Sequence, residues 1–305
     1  MGTYVVGDIH GCYNEWMHLK DIIESKDREA NFILVGDIVD RGMNQKKMID
    51  WALENITPDG KYRMVLGNHE EMKLGWLKRY ANKPENELNL SKLYRGFPDG
   101  YDFTSIMALH NVSDAYVKRA LEFFKSLPLY IEIEVETFGR KQKYVTCHAA
   151  VPDDCIDVNG KIIRENIDKP RFTGMGLLDW NYLVWERNYW GNCWDADTIV
   201  VHGHTPTASR DVVEMGANPG FIDFKNKDIN VDCACCYDVK VARLAAIRLE
   251  DLTEFYSDNG KLGESKGYKR DGYKEDMLHL LKTGENKYDT LLKDDCALEE
   301  EDSAY

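Results

Sequence analysis

The sequence predicts an α/β (α+β) fold with a buried β-sheet whose strand ends carry polar side chains. Three observations predict it. Short apolar runs, Thr3 to Val6, Phe32 to Val35 and Arg63 to Leu66, each end at a glycine. Each glycine opens a block loaded with Asp, Asn or His: Gly7-Asp8-Ile9-His10-Gly11, Gly36-Asp37-Ile38-Val39-Asp40-Arg41-Gly42 and Gly67-Asn68-His69-Glu70. The intervening stretches carry helical periodicity, as in 12–25, where Trp16, Leu19, Ile22 and Ile23 share one face. Strands apolar on both faces suit a buried sheet. A terminal glycine lets the chain turn sharply and expose the next side chain. The three loops should therefore open at one sheet edge, where open α/β sheets place ligands.

The elements follow in order. Strands are expected at about 3–7, 31–36, 62–67, 129–136, 143–148, 198–203, 229–232 and 241–249. Helices are expected at 12–25, 44–55 and 70–80. Leu129-Tyr130-Ile131-Glu132-Ile133-Glu134-Val135-Glu136 alternates cleanly, the mark of a half-buried strand. Residues 1–256 read as one catalytic unit, with 81–127 as a helical insertion over the cleft. Tyr94, Phe97, Tyr101 and Phe103 around Gly96 and Gly100 suit a mobile substrate rim. From 257 to 305 charge density rises towards Glu299-Glu300-Glu301-Asp302, and the end of this extension is expected to be disordered. Within it, Asp276 to Lys282 is expected to form a short helix, packing Met277, Leu280 and Leu281 back on the domain.

The polar blocks suit metal chemistry. A two-metal phosphoester site needs one carboxylate able to bridge both ions, flanked by oxygen and imidazole ligands. Asp8 and His10, alternate residues on one loop, can hold one ion. Asp37 can bridge, and the amide oxygen of Asn68 can reach the second. His148 ends the run Lys143-Tyr144-Val145-Thr146-Cys147, and His204 follows Thr198 to Val201 within His202-Gly203-His204-Thr205-Pro206. Both can complete the second ion. Oxygen and nitrogen ligands without thiolate favour Mn, Fe or Zn over a structural zinc. A single Asp after a strand-end glycine is usually a turn or a helix cap; five such blocks in order are not.

This ordered set, GDxHG, GDxVDRG, GNHE, a strand-end His and GHT, resembles the phosphoprotein phosphatase family of calcineurin-like metallophosphoesterases. It is most similar to the compact bacterial and phage branch, which includes the lambda phage phosphatase and symmetrical diadenosine tetraphosphatases. The likeness runs from Met1 to about Glu250. It implies a four-layer sandwich of two mixed β-sheets flanked by helices, with metals at one end. It implies Asp8, His10 and bridging Asp37 on the first metal, and Asp37, Asn68, His148 and His204 on the second. His69 resembles the general acid and Asp40 the carboxylate that orients it. Arg41 resembles a phosphate-binding arginine, and Arg187, after Trp185-Glu186, resembles a second. Pro206 stands where related enzymes often carry another His, leaving the first metal with fewer protein ligands.

The implied reaction is hydrolysis of phosphomonoesters, foremost phosphoserine and phosphothreonine in proteins. A hydroxide shared by two divalent ions, Mn²⁺ foremost with Fe or Zn as alternatives, attacks in line with the leaving oxygen. The second reading is symmetrical diadenosine tetraphosphate hydrolysis, because those enzymes open very similarly to residues 3–13. They often lack the second Asp of GDxVDRG, which is Asp40 here. A third class, a non-catalytic binding protein on the same fold, should have lost a ligand or His69, and neither is lost.

Composition bounds the partners. A net charge of −14 argues against general nucleic-acid or membrane-surface binding. It does not forbid a phosphorylated protein or small-molecule substrate, because metals and arginines set the local field. No apolar stretch reaches the length of a membrane span. The chain enters its first strand at once, leaving no room for a signal peptide. With eight cysteines in no disulfide or zinc pattern, a reducing cytoplasm is expected. Cys233-Ala234-Cys235-Cys236 reads as small residues in and beside a buried strand, and Cys12 as a thiol near the metals open to oxidation. His18, His110 and His279 match no motif. His202 is expected to point into the sheet, Glu70 to serve as a helix-start residue, and Trp76, Trp190 and Trp194 to pack.

Overall fold

Alternation along the strands builds the layers. In β1 (Thr3–Val6) and β2 (Asn31–Leu34), Tyr4, Val6, Phe32 and Leu34 point to one face and Val5 and Ile33 to the other, all buried. Such strands need cover on both sides. In the computed structural model, residues 1–80, 113–159, 161–167, 182–187, 198–225, 227–237, 240–258 and 271–285 are described. Among them, β3 (Tyr62–Met64) continues the parallel set. Sheet two begins with β4 (Tyr130–Thr137), β5 (Arg140–Cys147) and β6 (Thr198–His202). It is completed by β7 (Asp223–Lys225) and β8 (Asp228–Asn230). The chain then returns to sheet one as β9 (Ala245–Arg248) and β10 (Thr253–Tyr256). The two mixed sheets have the orders β10-β9-β1-β2-β3 and β4-β5-β6-β8-β7.

The inner faces meet in one core. Val5, Ile33, Val35 and Ile247 of sheet one pack with Tyr144, Ile199, Val201 and Ile229 of sheet two. Outside sheet one lie α1 (Tyr13–Lys26) and α2 (Gln45–Asn55), which bring Trp16, Leu19, Ile23, Met48 and Ile49 onto its apolar face. The next helix, α3 (Asn68–Tyr80), starts within the third polar block. After it, α4 (Asp114–Ser126) adds Ala120, Leu121 and Phe124 to the cover of sheet one. Outside sheet two, Val145, Cys147 and Val200 are covered by Val151, Ile156, Ile162 and Leu183. The short helices on this side are α5 (Arg164–Ile167), α6 (Tyr182–Trp185) and α7 (Arg210–Glu214). The result is two mixed sheets face to face with helices outside, the architecture expected from the sequence.

Parallel pairing sets the active edge. Val6 lies opposite Leu34 and Leu34 opposite Met64, so the loops after β1, β2 and β3 leave together. Thr146 lies opposite Val201 and Val201 opposite Ile229, so the same holds after β5, β6 and β8.

Some elements differ from expectation. The strand expected over 241–249 starts only at Ala245. Two short edge strands, β7 and β10, escaped the sequence reading; each pairs antiparallel with its neighbour through a tight connection and has too few residues for a period. The last helix, α8 (Asp271–Thr283), is longer than expected. Met277 and Leu281 are buried between the sheets with Leu278 against them, in the place expected of Leu280. Residues 81–112 with their aromatics, His110, Trp190, Trp194 and the acidic end lie outside the described residues. No helix among the described residues is long and apolar enough to cross a membrane.

Candidate dimetal site

Six loops converge where the two sheet edges meet. Their glycines serve close approach more than turning. Only Gly36 of the three strand-end glycines has a positive φ. A Cβ on Gly67 would collide with the Asp37 backbone and carboxylate, and one on Gly203 with the Asp8 carboxylate. The strain falls on the polar residues instead. His10, Asp37, Asp40, Arg41 and His204 all have φ between 46° and 71°. Such conformations persist only where surrounding contacts over-determine them, and they concentrate at functional sites.

The ring nitrogens of the buried cluster point inward. His148 Nδ1 donates to the Val35 carbonyl at 2.7 Å, which aims Nε2 at Asn68 Oδ1, 2.9 Å away. His204 Nε2 faces the Trp185 carbonyl at 3.2 Å, so Nδ1 presents its lone pair to the same Asn68 oxygen at 3.0 Å. His10 Nδ1 donates to the Val39 carbonyl at 2.8 Å and turns Nε2 to Asp37 Oδ2 at 3.4 Å. Asp37 Oδ1 lies 3.4 Å from His148 Nε2. One carboxylate thus reaches a ring nitrogen on either side. These nitrogens and oxygens converge in a buried pocket, and once His148 gives up its proton they suit a bound cation. Ligand atoms of Asp37, His148 and His204 form one group able to hold a metal ion, and those of His10, Asp37 and His69 another. Asp8 sits beside the pair, its carboxylate accepting the His204 backbone N–H at 3.1 Å. The two groups contain carboxylate and imidazole ligands and no cysteine, so the donor set suits hard or borderline divalent ions.

Protonation follows the same layout. Burial works against a charge on His148, but the carboxylates of Asp37 and Asp8 outweigh it and lift the imidazole to about 9. Burial lowers His10 to about 3 despite Asp37. It also holds His204 well below its ordinary value, helped by His148 and Arg187. Burial and the neighbouring Asp232 carboxylate push Asp8 up. On Asp37, burial is overcome by the surrounding imidazoles, His148 foremost, and its carboxyl is held well down.

His69 donates its backbone N–H to Asp37 Oδ1 at 2.9 Å, and its ring lies beside the cluster. Its Nδ1 meets Asp40 Oδ2 at 2.6 Å, and its Nε2 faces Arg41 Nη2 at 3.3 Å and Asp37 Oδ2 at 3.8 Å. Burial opposes the Asp40 charge, but Lys73 and His69 keep its carboxyl well below the usual range. Arg41 is anchored by the Tyr237 hydroxyl at 2.7 Å from Nη1. Arg187 lies on the other flank, donating from Nη1 to the His204 carbonyl at 3.3 Å and Thr205 Oγ1 at 3.4 Å.

The expected residues Asp8, His10, Asp37, Asn68, His69, Asp40, Arg41, His148, His204 and Arg187 therefore share one edge. Four others were not singled out for these places. Glu70, read as a helix-start residue, is fully buried, and its carboxylate accepts the N–H groups of Asp37, Ile38, Val39 and Gly67 at 2.8–3.3 Å. Lys73 pairs with Asp40. Asp232 is buried and, through burial foremost, raised to about 6. It follows Asp228-Ile229-Asn230-Val231, an alternating run with no glycine, so the rule that found Asp8 does not reach it. Tyr237 has no sequence signal. His202 is fully buried in the sheet, as expected.

A family model described as calcineurin-like phosphoesterase matches residues 1–236. An asymmetrical bis(5'-nucleosyl)-tetraphosphatase, PrpE, of Bacillus cereus strain B4264 is 24% identical over 266 residues, covering 82% of this chain and 92% of its own. A symmetrical bis(5'-nucleosyl)-tetraphosphatase of Coxiella burnetii strain Dugway 5J108-111 is 27% identical over 191 residues, covering 62% and 54%. Among solved structures, a putative diadenosine tetraphosphatase aligns over 84% of this chain and 93% of its own, with a TM-score of 0.48 and 18% identity. The match to the family model spans every loop that builds the site, from Asp8 to Asp232, and the chain belongs to the calcineurin-like phosphoesterases.

Proposed function

We propose that this metallophosphoesterase is a two-metal hydrolase of phosphomonoesters, with phosphoserine and phosphothreonine in proteins as the foremost substrates. The observation that carries the reading is the Asp37 carboxylate lying between His10 Nε2 and His148 Nε2, with the His69–Asp40 pair alongside. Asp8, His10 and Asp37 would hold one divalent ion, and Asp37, Asn68, His148 and His204 the second. Bound there, the ions supply Lewis acidity and acidify the attacking water. Mn²⁺ is the foremost candidate, with Fe or Zn as alternatives.

The protein's own groups do the rest. Arg41 and Arg187 are each tethered through Nη1, and their remaining N–H groups suit the non-bridging phosphoryl oxygens. His69 could also be read as a ligand beside His10 and Asp37. Its 2.6 Å contact with a buried carboxylate supports a proton-donor role instead. Asp40 takes the Nδ1 hydrogen and directs Nε2 to the leaving oxygen. Free cysteines at Cys12, Cys147, Cys155, Cys233, Cys235 and Cys236 suit a reducing cytoplasm.

A second reading is cleavage of dinucleoside tetraphosphates, favoured by the names of the relatives. The test is a rate comparison in Mn²⁺ with a phosphothreonine peptide and diadenosine tetraphosphate at matched concentration. Faster phosphate release from the peptide is expected. Faster dinucleotide cleavage would overturn the phosphomonoester reading, and the products, two ADP or ATP plus AMP, would tell symmetrical from asymmetrical attack.

A further inference from the structure

Asp40 has a partner besides His69. Lys73 Nζ donates to both oxygens of the Asp40 carboxylate at 2.7 Å. The lysine is only 8% exposed, and Asp40 4%. Lys73 stands four residues after His69 on α3, so both side chains lie on one helix face and meet the same carboxylate. Asp40 itself sits at φ 69°, with its backbone N–H held by Gln45 Oε1 at 3.0 Å. A buried carboxylate facing one imidazole would have an oxygen lacking a donor and freedom to rotate. Lys73 supplies that donor and fixes the carboxylate plane.

We infer that Lys73 is a positioning residue for proton delivery: through Asp40 it locks the His69 ring so that Nε2 faces the leaving oxygen. The inference rests on the reading of His69 as the general acid. Lys73 does not touch substrate. Its effect should appear only where the leaving oxygen needs a proton. Departing phenoxide needs one strongly, whereas p-nitrophenoxide leaves largely without it. A lysine that merely neutralised a buried charge would affect both esters alike.

The experiment uses the Mn²⁺-loaded full chain with phenyl phosphate and p-nitrophenyl phosphate. Lys73→Met is expected to lower kcat about tenfold to a hundredfold on phenyl phosphate, the usual range for a supporting residue behind a functional one. On p-nitrophenyl phosphate the loss should stay within about threefold. Lys73→Arg, which keeps two donors for the carboxylate, should restore most of the phenyl phosphate rate. Metal content should match that of the parent protein. In a His69→Asn background, Lys73→Met should cost nothing further. Equal losses on the two esters with Lys73→Met, while His69→Asn discriminates between them, would overturn the role of Lys73 alone. If His69→Asn itself loses equally on both, the general-acid reading fails and this inference fails with it. Should Lys73→Met not fold, Lys73→Gln, which keeps a neutral donor, carries the same comparison.

Discussion

At the scale of single residues, the site is governed by which nitrogen of each histidine faces a carbonyl. Val35, Val39 and Trp185 offer backbone oxygens that take one ring nitrogen of His148, His10 and His204, and the other is turned into the cluster. Backbone partners of this kind fix both tautomer and ring direction. His148 then has a measurable signature. With its pKa lifted to about 9 by Asp37 and Asp8 against the effect of burial, it holds a proton at neutral pH when no metal is bound. A metal must displace that proton. The sign follows: affinity should rise as pH increases towards about 9. Mn²⁺ binding at pH 7.5 should release protons, measured by calorimetry in two buffers of different ionisation enthalpy. Binding without proton release would contradict the assignment. Asp8, Asp37, Asn68 and His204 were legible because each follows a strand and a glycine, and His148 because it ends the run Lys143 to Cys147. Lys73 was not legible, because nothing local marks a lysine on a helix as the partner of a buried aspartate 33 residues earlier.

At the scale of elements, the loop after β2 is shaped by the helix after β3. Glu70, in the first turn of α3, gathers the N–H groups of Asp37, Ile38 and Val39, so α3 sets where the Asp37 carboxylate stands. The helix dipole accounts for Glu70 at the helix start but not for its reach into another loop, since the sequence carries no distance between the two. Replacing Glu70 by Gln turns an amide N–H₂ towards backbone donors. It should cost about 1–3 kcal/mol of stability through unsatisfied buried groups. Metal affinity should fall about tenfold to a hundredfold. Thermal melting and equilibrium dialysis measure the two effects. Unchanged values in both would show that the clamp is dispensable. Strands with long apolar runs were legible, whereas β7 and β10 were not, because an edge strand of three or four residues is specified by its neighbour more than by its own pattern.

At the scale of the whole molecule, the candidate ligands come from both sheets. Asp8, His10, Asp37 and Asn68 follow strands of sheet one, and His148 and His204 follow strands of sheet two. Bound ions would therefore join the sheets at the edge where their shared apolar core ends. The two-sheet plan followed from family resemblance, with buried strands consistent with it. The path of α8 back to the inter-sheet core was legible in part, from the spacing of Met277 and Leu281. The central claim is that Asp37 bridges two ions. Its direct test is the metal content and melting temperature of Mn²⁺-dialysed parent protein and Asp37→Asn. About two ions per chain are expected in the parent, with a higher melting temperature with metal than without, and loss of both in the variant. Full occupancy of both positions in Asp37→Asn would contradict it.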